Sequence, residues 1–353
     1  MQLNRDILIR LGYKDTGDNM NLITNSRKRM TYIEKYGLFG QKPYSPKIKN
    51  ICRDKKIKMR FGSADISEND ILEQIPDILD MLLIDRTTST FKKPRNIIWA
   101  NENYIKYGRS YGASYQIKPK LITGHRGNLI VPRALKLQYV QKERTKSKAE
   151  VFTPTWIVKK QNDVIDASYR DDDLQTYINR KWLEITCGEA PYMATRYDME
   201  TGNKVPLPDR VGFVDRKLAR INSEVDKESE WHQLVEQAYK ASYGFEWNGD
   251  SLLLARENLL YTYYDYHVAK WQDKPTYEHL AVIANIISYN LFQMDGLKYI
   301  IPLSDIRKRP TKSQLKLFDE NLDSEESSKK LGKRVRIMNW DKNKMELFDK
   351  GLR

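Results

Sequence analysis

Cysteine is scarce. Cys52 and Cys187 are the only two in 353 residues. They are too few for a disulfide framework and do not form a zinc-like pair. That usage suits a reducing compartment, so a cytoplasmic protein is expected. Histidine is equally sparse: His125, His232, His267 and His279 include no pair at metal-ligand spacing, so no metal site is expected. Long apolar runs are missing too. None reaches the length of a membrane span, which speaks against a membrane protein. The opening stretch, residues 1–15, lacks the apolar core and small residues of a secretory leader. Adjacent prolines are also absent, since none of the 13 neighbours another.

Basic charge is plentiful and unevenly placed. The net charge is +14. Residues 1–60 carry +10, residues 61–90 carry −6 and residues 91–148 carry +12, so the whole excess belongs to the first 148 residues. A basic segment beside a near-neutral one is what a protein facing phosphates on one side needs. Tyrosines and Trp99 interleave with the bases over 91–148, a mixture suited to base stacking and phosphate contact. Lys106, Tyr107, Arg109, Tyr111 and Arg126 are the candidate DNA contacts. The plainer reading is a solvated basic face whose tyrosines cover a core with their hydroxyls in water.

The organisation expected along the chain is threefold: a basic DNA-contacting region over 1–148 with one amphipathic helix, an α/β domain over 149–302, and a polar insertion with a final strand and tail over 303–353. The helix follows from Ile71, Leu72, Ile75, Ile78, Leu79, Leu82 and Leu83 at helical spacing, with Ser67 and Asp70 as start signals. Strand-like runs fall at 182–186, 211–214, 241–247 and 333–340, and helical ones at 252–265 and 277–292.

Four segments carry candidate chemistry, in the order Glu150-Val151-Phe152-Thr153-Pro154, Glu184-Ile185-Thr186-Cys187-Gly188, Gly244-Phe245-Glu246 with Ala255-Arg256-Glu257-Asn258-Leu259, and Asp295-Gly296-Leu297. The second reads as a strand ending in a tight turn, where glycine lets a ligand approach the backbone. Glu246, at the end of the next strand, suits two ribose hydroxyls, and Asp295 after a third strand suits an adenine amino group. A single such turn is weak evidence alone.

This ordered set resembles the adenine-type amino-group DNA methyltransferases of restriction–modification systems, within them the group called restriction endonuclease subunit M. The likeness covers about residues 100–302. It implies a Rossmann-like sheet binding S-adenosylmethionine, with Phe152, Thr153 and Pro154 beside the methionine part, Glu184, Cys187 and Gly188 in the loop beneath it, Glu246 on the ribose and Asp295 on the adenine. The chain departs from the family's Asp-Pro-Ala-Cys-Gly-Ser-Gly loop at the proline and the second glycine. It also lacks the family's Asn-Pro-Pro-Tyr or Asp-Pro-Pro-Tyr, whose prolines fix a carbonyl under the target amino group. No catalytic residue is therefore assigned. The expectation is an incomplete methyltransferase sheet, with DNA and a second polypeptide that supplies the missing motif as partners. The alternative is a nucleic-acid-binding or assembly subunit with a degenerate fold. A nuclease in the basic region, built on Asp54-Lys55-Lys56 with Asp65 or Glu68, is a weaker reading.

Overall fold

A computed structural model describes residues 13–15, 20–22, 68–90, 92–136, 153–305 and 332–351. Near the start of the chain, β1 (Tyr13–Asp15) and β2 (Met20–Leu22) pair antiparallel. The stretch expected to be one amphipathic helix is two, α1 (Glu68–Gln74) and α2 (Pro76–Leu83). Proline brings no N–H and crowds the preceding turn, so Pro76 opens a new helix instead of continuing the old one. Ile71, Ile75, Ile78, Leu79, Leu82 and Leu83 are buried on the inner side, as their spacing predicts.

After a one-turn helix α3 (Pro119–Ile122) come α4 (Thr155–Asp166) and α5 (Leu174–Asn179), the latter capped by the Asp173 carboxylate on Thr176 N–H. The centre is a parallel sheet of three strands, β3 (Trp182–Glu184), β4 (Ser242–Glu246) and β5 (Leu291–Gln293), with β4 in the middle. Parallel neighbours need crossovers, and helices supply both. They are α6 (Phe213–Glu224) and α7 (Glu228–Lys240) between β3 and β4, then α8 (Gly249–Trp271) and α9 (Tyr277–Asn290) between β4 and β5. The chain is thus mixed α/β around a small parallel sheet.

The helices and one face of the sheet share a large apolar core that includes Trp99, Tyr111, Trp231, Leu252, Tyr263 and Ile287. Residues 68–136 contribute to this core alongside 153–305, on both sides of the expected boundary at 148. The other sheet face is covered by an antiparallel hairpin, β6 (Arg336–Asn339) and β7 (Lys344–Leu347), followed by α10 (Phe348–Gly351). Phe245 and Phe292 pack there with Ile337 and Phe348. The expected final strand is therefore one arm of a hairpin. The expected strand at 211–214 is instead the entry to α6. No helix among the described residues is long and apolar enough to cross a membrane.

Candidate cofactor site at the strand ends

In a parallel sheet all strands end on the same side, where an open α/β sheet leaves its crevice. Here β3 ends in Glu184, β4 in Glu246, and Asp295 follows β5 by two residues. Because β4 lies between the other two, Glu246 occupies the middle of the row.

Glu184 is buried and holds the loop that follows it. Its carboxylate accepts from Tyr192 N–H at 3.2 Å and Met193 N–H at 2.9 Å. Burial raises its pKa to about 8, opposed by those two amides and reinforced by the nearby Glu246 charge. Glu246 is buried as well. One oxygen accepts from Gly188 N–H at 2.9 Å, the other from Asn248 N–H at 3.0 Å and its side-chain amide at 3.1 Å. Burial pushes this carboxyl up too. Between the two acids the backbone turns sharply: Thr186, Gly188 and Ala190 have φ of +50°, +55° and +61°. Glycine takes that conformation at no steric cost, whereas threonine and alanine pay about 1–3 kcal/mol each. The turn is held by Cys187 N–H on the Phe245 carbonyl (2.8 Å) and by the Asn258 amide on the Glu189 and Ala194 carbonyls (3.1 and 3.0 Å).

Further anchors surround this loop. Glu189 accepts from Arg133 N–H and the Tyr197 hydroxyl, both at 2.8 Å. Burial raises its pKa. Asn162 of α4 donates to the Tyr192 carbonyl at 3.1 Å, so the helix led in by Thr153-Pro154 is tied to the same loop. At the start of α4, Thr155 donates to Asp198 through its N–H (3.1 Å) and hydroxyl (2.7 Å). Burial raises the Asp198 pKa, but hydrogen bonds from Thr155 and Thr201 win and hold it at about 2.

The ends of β4 and β5 carry residues 97–101, whose place beside the strand ends the sequence does not point to. The Gln293 side chain bridges Ile98 N–H (2.9 Å), the Ile98 carbonyl (2.8 Å) and the Trp247 carbonyl (2.7 Å). Trp247 Nε1 donates to the Ala100 carbonyl at 2.8 Å. Asp250, fully buried at the start of α8, accepts from the Asn101 amide (2.9 Å) and the Tyr104 hydroxyl (2.8 Å). Ile185 and Leu297, 66% and 93% exposed, follow the outer strands β3 and β5 and leave apolar surface beside the row of acids.

The structure brings Glu184, Cys187, Gly188 and Glu246 together, with Asp295 at the next strand end. Asp295 is half-buried and engaged in its own turn, one oxygen accepting from Leu297 N–H (2.9 Å) and Lys298 N–H (3.1 Å). Cys187 is buried, and that burial raises its thiol pKa well above the ordinary value. Phe152 lies outside the described residues, as do Asp54 and Asp65 of the nuclease reading. A cavity of about 130 Å³ lies elsewhere, between the outer sheet face and the hairpin, lined by Leu183, Tyr243, Phe292 and Ile337.

Of the expected DNA contacts, Lys106, Tyr107 and Arg109 are exposed, on a turn broken by Gly108 at φ +120°. Arg109 Nε donates to the Tyr115 hydroxyl at 2.6 Å. Tyr111 is the exception: at 2% exposed it belongs to the core, its hydroxyl donating to the Leu121 carbonyl and accepting from Arg126. Its ring is unavailable to a base. Arg126 lies 5.0 Å over that ring and 5.6 Å over Tyr107, so it braces the aromatic cluster.

No protein-family model, no curated protein and no solved structure matches this chain.

Proposed function

We propose that the strand ends bind S-adenosylmethionine, and that the chain is one subunit of an adenine-type DNA methyltransferase whose target-base motif comes from a partner polypeptide. The observation that carries this reading is the row Glu184, Glu246, Asp295 at the ends of neighbouring parallel strands, with the strained turn over residues 186–190 laid against its middle member through Gly188. Consecutive strands in the order β3-β4-β5, joined by helices, are what one half of a Rossmann-like sheet has. Strain held in place by many anchors is a common mark of a ligand site. The acids suit the ligand's donors: ribose hydroxyls for Glu246, an amino group for Asp295, and a cationic amine or sulfonium near the buried carboxylate of Glu184. Ile185 and Leu297 offer apolar surface to a purine ring. DNA contact is assigned to the exposed Lys106, Tyr107 and Arg109 turn, within the segment that carries +12.

Calorimetric titration of the full-length protein with S-adenosylmethionine tests the reading. Saturable binding is expected for the wild type and its loss in Glu246→Ala. A folded wild-type protein that takes up no ligand refutes the site. The affinity should also depend on pH with a defined sign. Glu184 has a pKa raised to about 8, and a cationic ligand favours its ionised form. Binding therefore releases protons and tightens from pH 6 to pH 8. Flat or weakening affinity over that range contradicts a cation placed near Glu184.

A further inference from the structure

Three of the four histidines, unremarkable in sequence, meet at one point in the helical layer. His232 is on α7, His267 near the end of α8 and His279 in the first turn of α9. One ring nitrogen or the other of each lies within 4.8 Å of those of its two neighbours. The His232 and His279 rings stack at 3.6 Å between centroids, and His232 and His267 are 5.4 Å apart. The cluster is distant from the strand-end row: His267 is roughly 27 Å along α8 from the helix start by the rise of an α-helix.

The hydrogen bonding around the rings is incomplete in an informative way. His267 Nδ1 donates to the Asp273 carbonyl at 3.0 Å, which fixes its tautomer and leaves the lone pair on Nε2. That is how a metal-bound histidine is commonly oriented. His232 Nδ1 faces the Tyr263 hydroxyl at 3.4 Å. His232 Nε2 and His279 Nδ1 are buried without a hydrogen-bond partner. His232 is 9% exposed, so little water reaches it. Buried polar nitrogens are nearly always satisfied, and these two lack whatever completes them. The Glu228 carboxylate stands 3.8 Å from His232 Nε2 on the outer side.

We propose that His232, His267 and His279 form a binding site for a divalent transition-metal ion of the zinc type, with three imidazole nitrogens as ligands and a fourth position on the Glu228 side. Imidazole suits zinc, copper and nickel better than calcium or magnesium, and three nitrogens with one open position is a common zinc arrangement. A tetrahedral ion with Zn–N bonds of about 2.1 Å holds its nitrogens roughly 3.4 Å apart. The observed nitrogens lie within 4.8 Å of one another, so the rings must close by up to about 1.4 Å to hold the ion. The ion would pin the N-terminal turns of α7 and α9 to the end of α8, at the far side of both crossovers that build the sheet. The assignment is independent of whether the strand ends bind a cofactor.

The test uses the full-length protein, stripped with a chelator and titrated with Zn(II) against a chromophoric competitor. One zinc per chain is expected, with a rise in the thermal midpoint on loading. His267→Ala should weaken binding by more than the 10–100-fold that loss of an outer partner typically costs. His125→Ala, which removes the one histidine outside the cluster, should leave binding unchanged. Absence of stoichiometric zinc on the folded wild type overturns the proposal, as does unchanged affinity in His232→Ala, His267→Ala and His279→Ala. If these variants fail to fold, X-ray absorption of the zinc-loaded wild type decides instead. A first shell with three imidazoles supports the site, and one dominated by oxygen or sulfur overturns it.

Discussion

Lys217 shows how a single buried group sets a pH dependence. It is 1% exposed in α6, and its ammonium donates to the Arg180 carbonyl at 2.7 Å and to Ser242 Oγ at 3.4 Å. Burial lowers its pKa to about 7. A base whose folded pKa lies below the unfolded value leaves the unfolded chain holding more protons between the two, so stability rises with pH across that window. One proton contributes at most about 1.4 kcal/mol per pH unit. Lys217→Met removes the titrating group and keeps most of its volume. Urea midpoints should therefore climb less steeply from pH 7 to pH 9 in K217M than in the wild type, and equal slopes would show that Lys217 stays charged in the fold. Gly249 illustrates a different constraint. A Cβ there would collide with the Ile98 carbonyl, a backbone atom that cannot rotate away, so Gly249→Ala should cost about 1–3 kcal/mol by thermal unfolding. Single residues were unequally legible in the sequence. Glu184 and Glu246 stood out because an acid closing a short apolar strand is a local pattern. The Gln293 bridge and the buried Tyr111 did not, because each depends on a partner far along the chain. The histidines show the limit most clearly: spacing reveals ligands that share one helix, and these come from three.

At the scale of elements, the joints carry as much information as the helices. Arg256 lies within α8, 1% exposed, and its guanidinium donates to the carbonyls of Leu82 (2.6 Å), Ile84 (2.9 Å), Ser288 (3.4 Å) and Leu291 (2.6 Å). Those carbonyls belong to the C-terminal ends of α2 and α9, where helices leave acceptors unpaired and where a cation is favoured. One side chain thus closes two helix ends and aligns the entry to β5. Arg256→Met leaves these carbonyls buried and unpaired, and the expected loss is about 3 kcal/mol or more in denaturant unfolding. Arg256→Lys should recover only part of it, because a single ammonium cannot reach four acceptors spread across a planar fork. Full stability in R256K would contradict that geometry. The long helices were readable from apolar spacing, since α8 and α9 enclose most of the expected spans. Two boundaries were not. Pro76 splits a continuous apolar repeat, and the period alone carries no sign of the break. The run Val211-Gly212-Phe213-Val214 has the composition of a strand, yet Gly212 opens α6 and the Phe213 and Val214 amides bond to the Tyr192 and Met193 carbonyls. Four apolar residues suit either structure, and packing against the β3 loop decides between them.

For the whole molecule, the charge profile and the packing divide the chain differently. Composition changes near residue 148, and the motifs begin just after it, which makes a basic domain followed by a cofactor domain the natural expectation. Packing ignores that line. The inner face of α2 is fully buried against α8 and α9, the Arg256 donors end on carbonyls of residues 82 and 84, and the Gln293 amide is saturated by Ile98 and Trp247. Charge patterns report what faces solvent and ligands, whereas a core is built from apolar faces drawn from anywhere in the sequence. A fragment covering residues 149–353 would expose the α8 and α9 surfaces that α2 covers and would strand a buried guanidinium. Such a fragment should show no cooperative thermal transition and should bind a hydrophobic dye, while the full chain unfolds as a unit. A sharp melt of the fragment near the full-length midpoint would instead establish 149–353 as an autonomous domain. The result bears on function as well. If the first half is part of the same core, residues 97–101 across the strand ends are a fixed wall of the crevice, and DNA held on the Lys106–Arg109 turn would sit on the same rigid body as the strand-end acids.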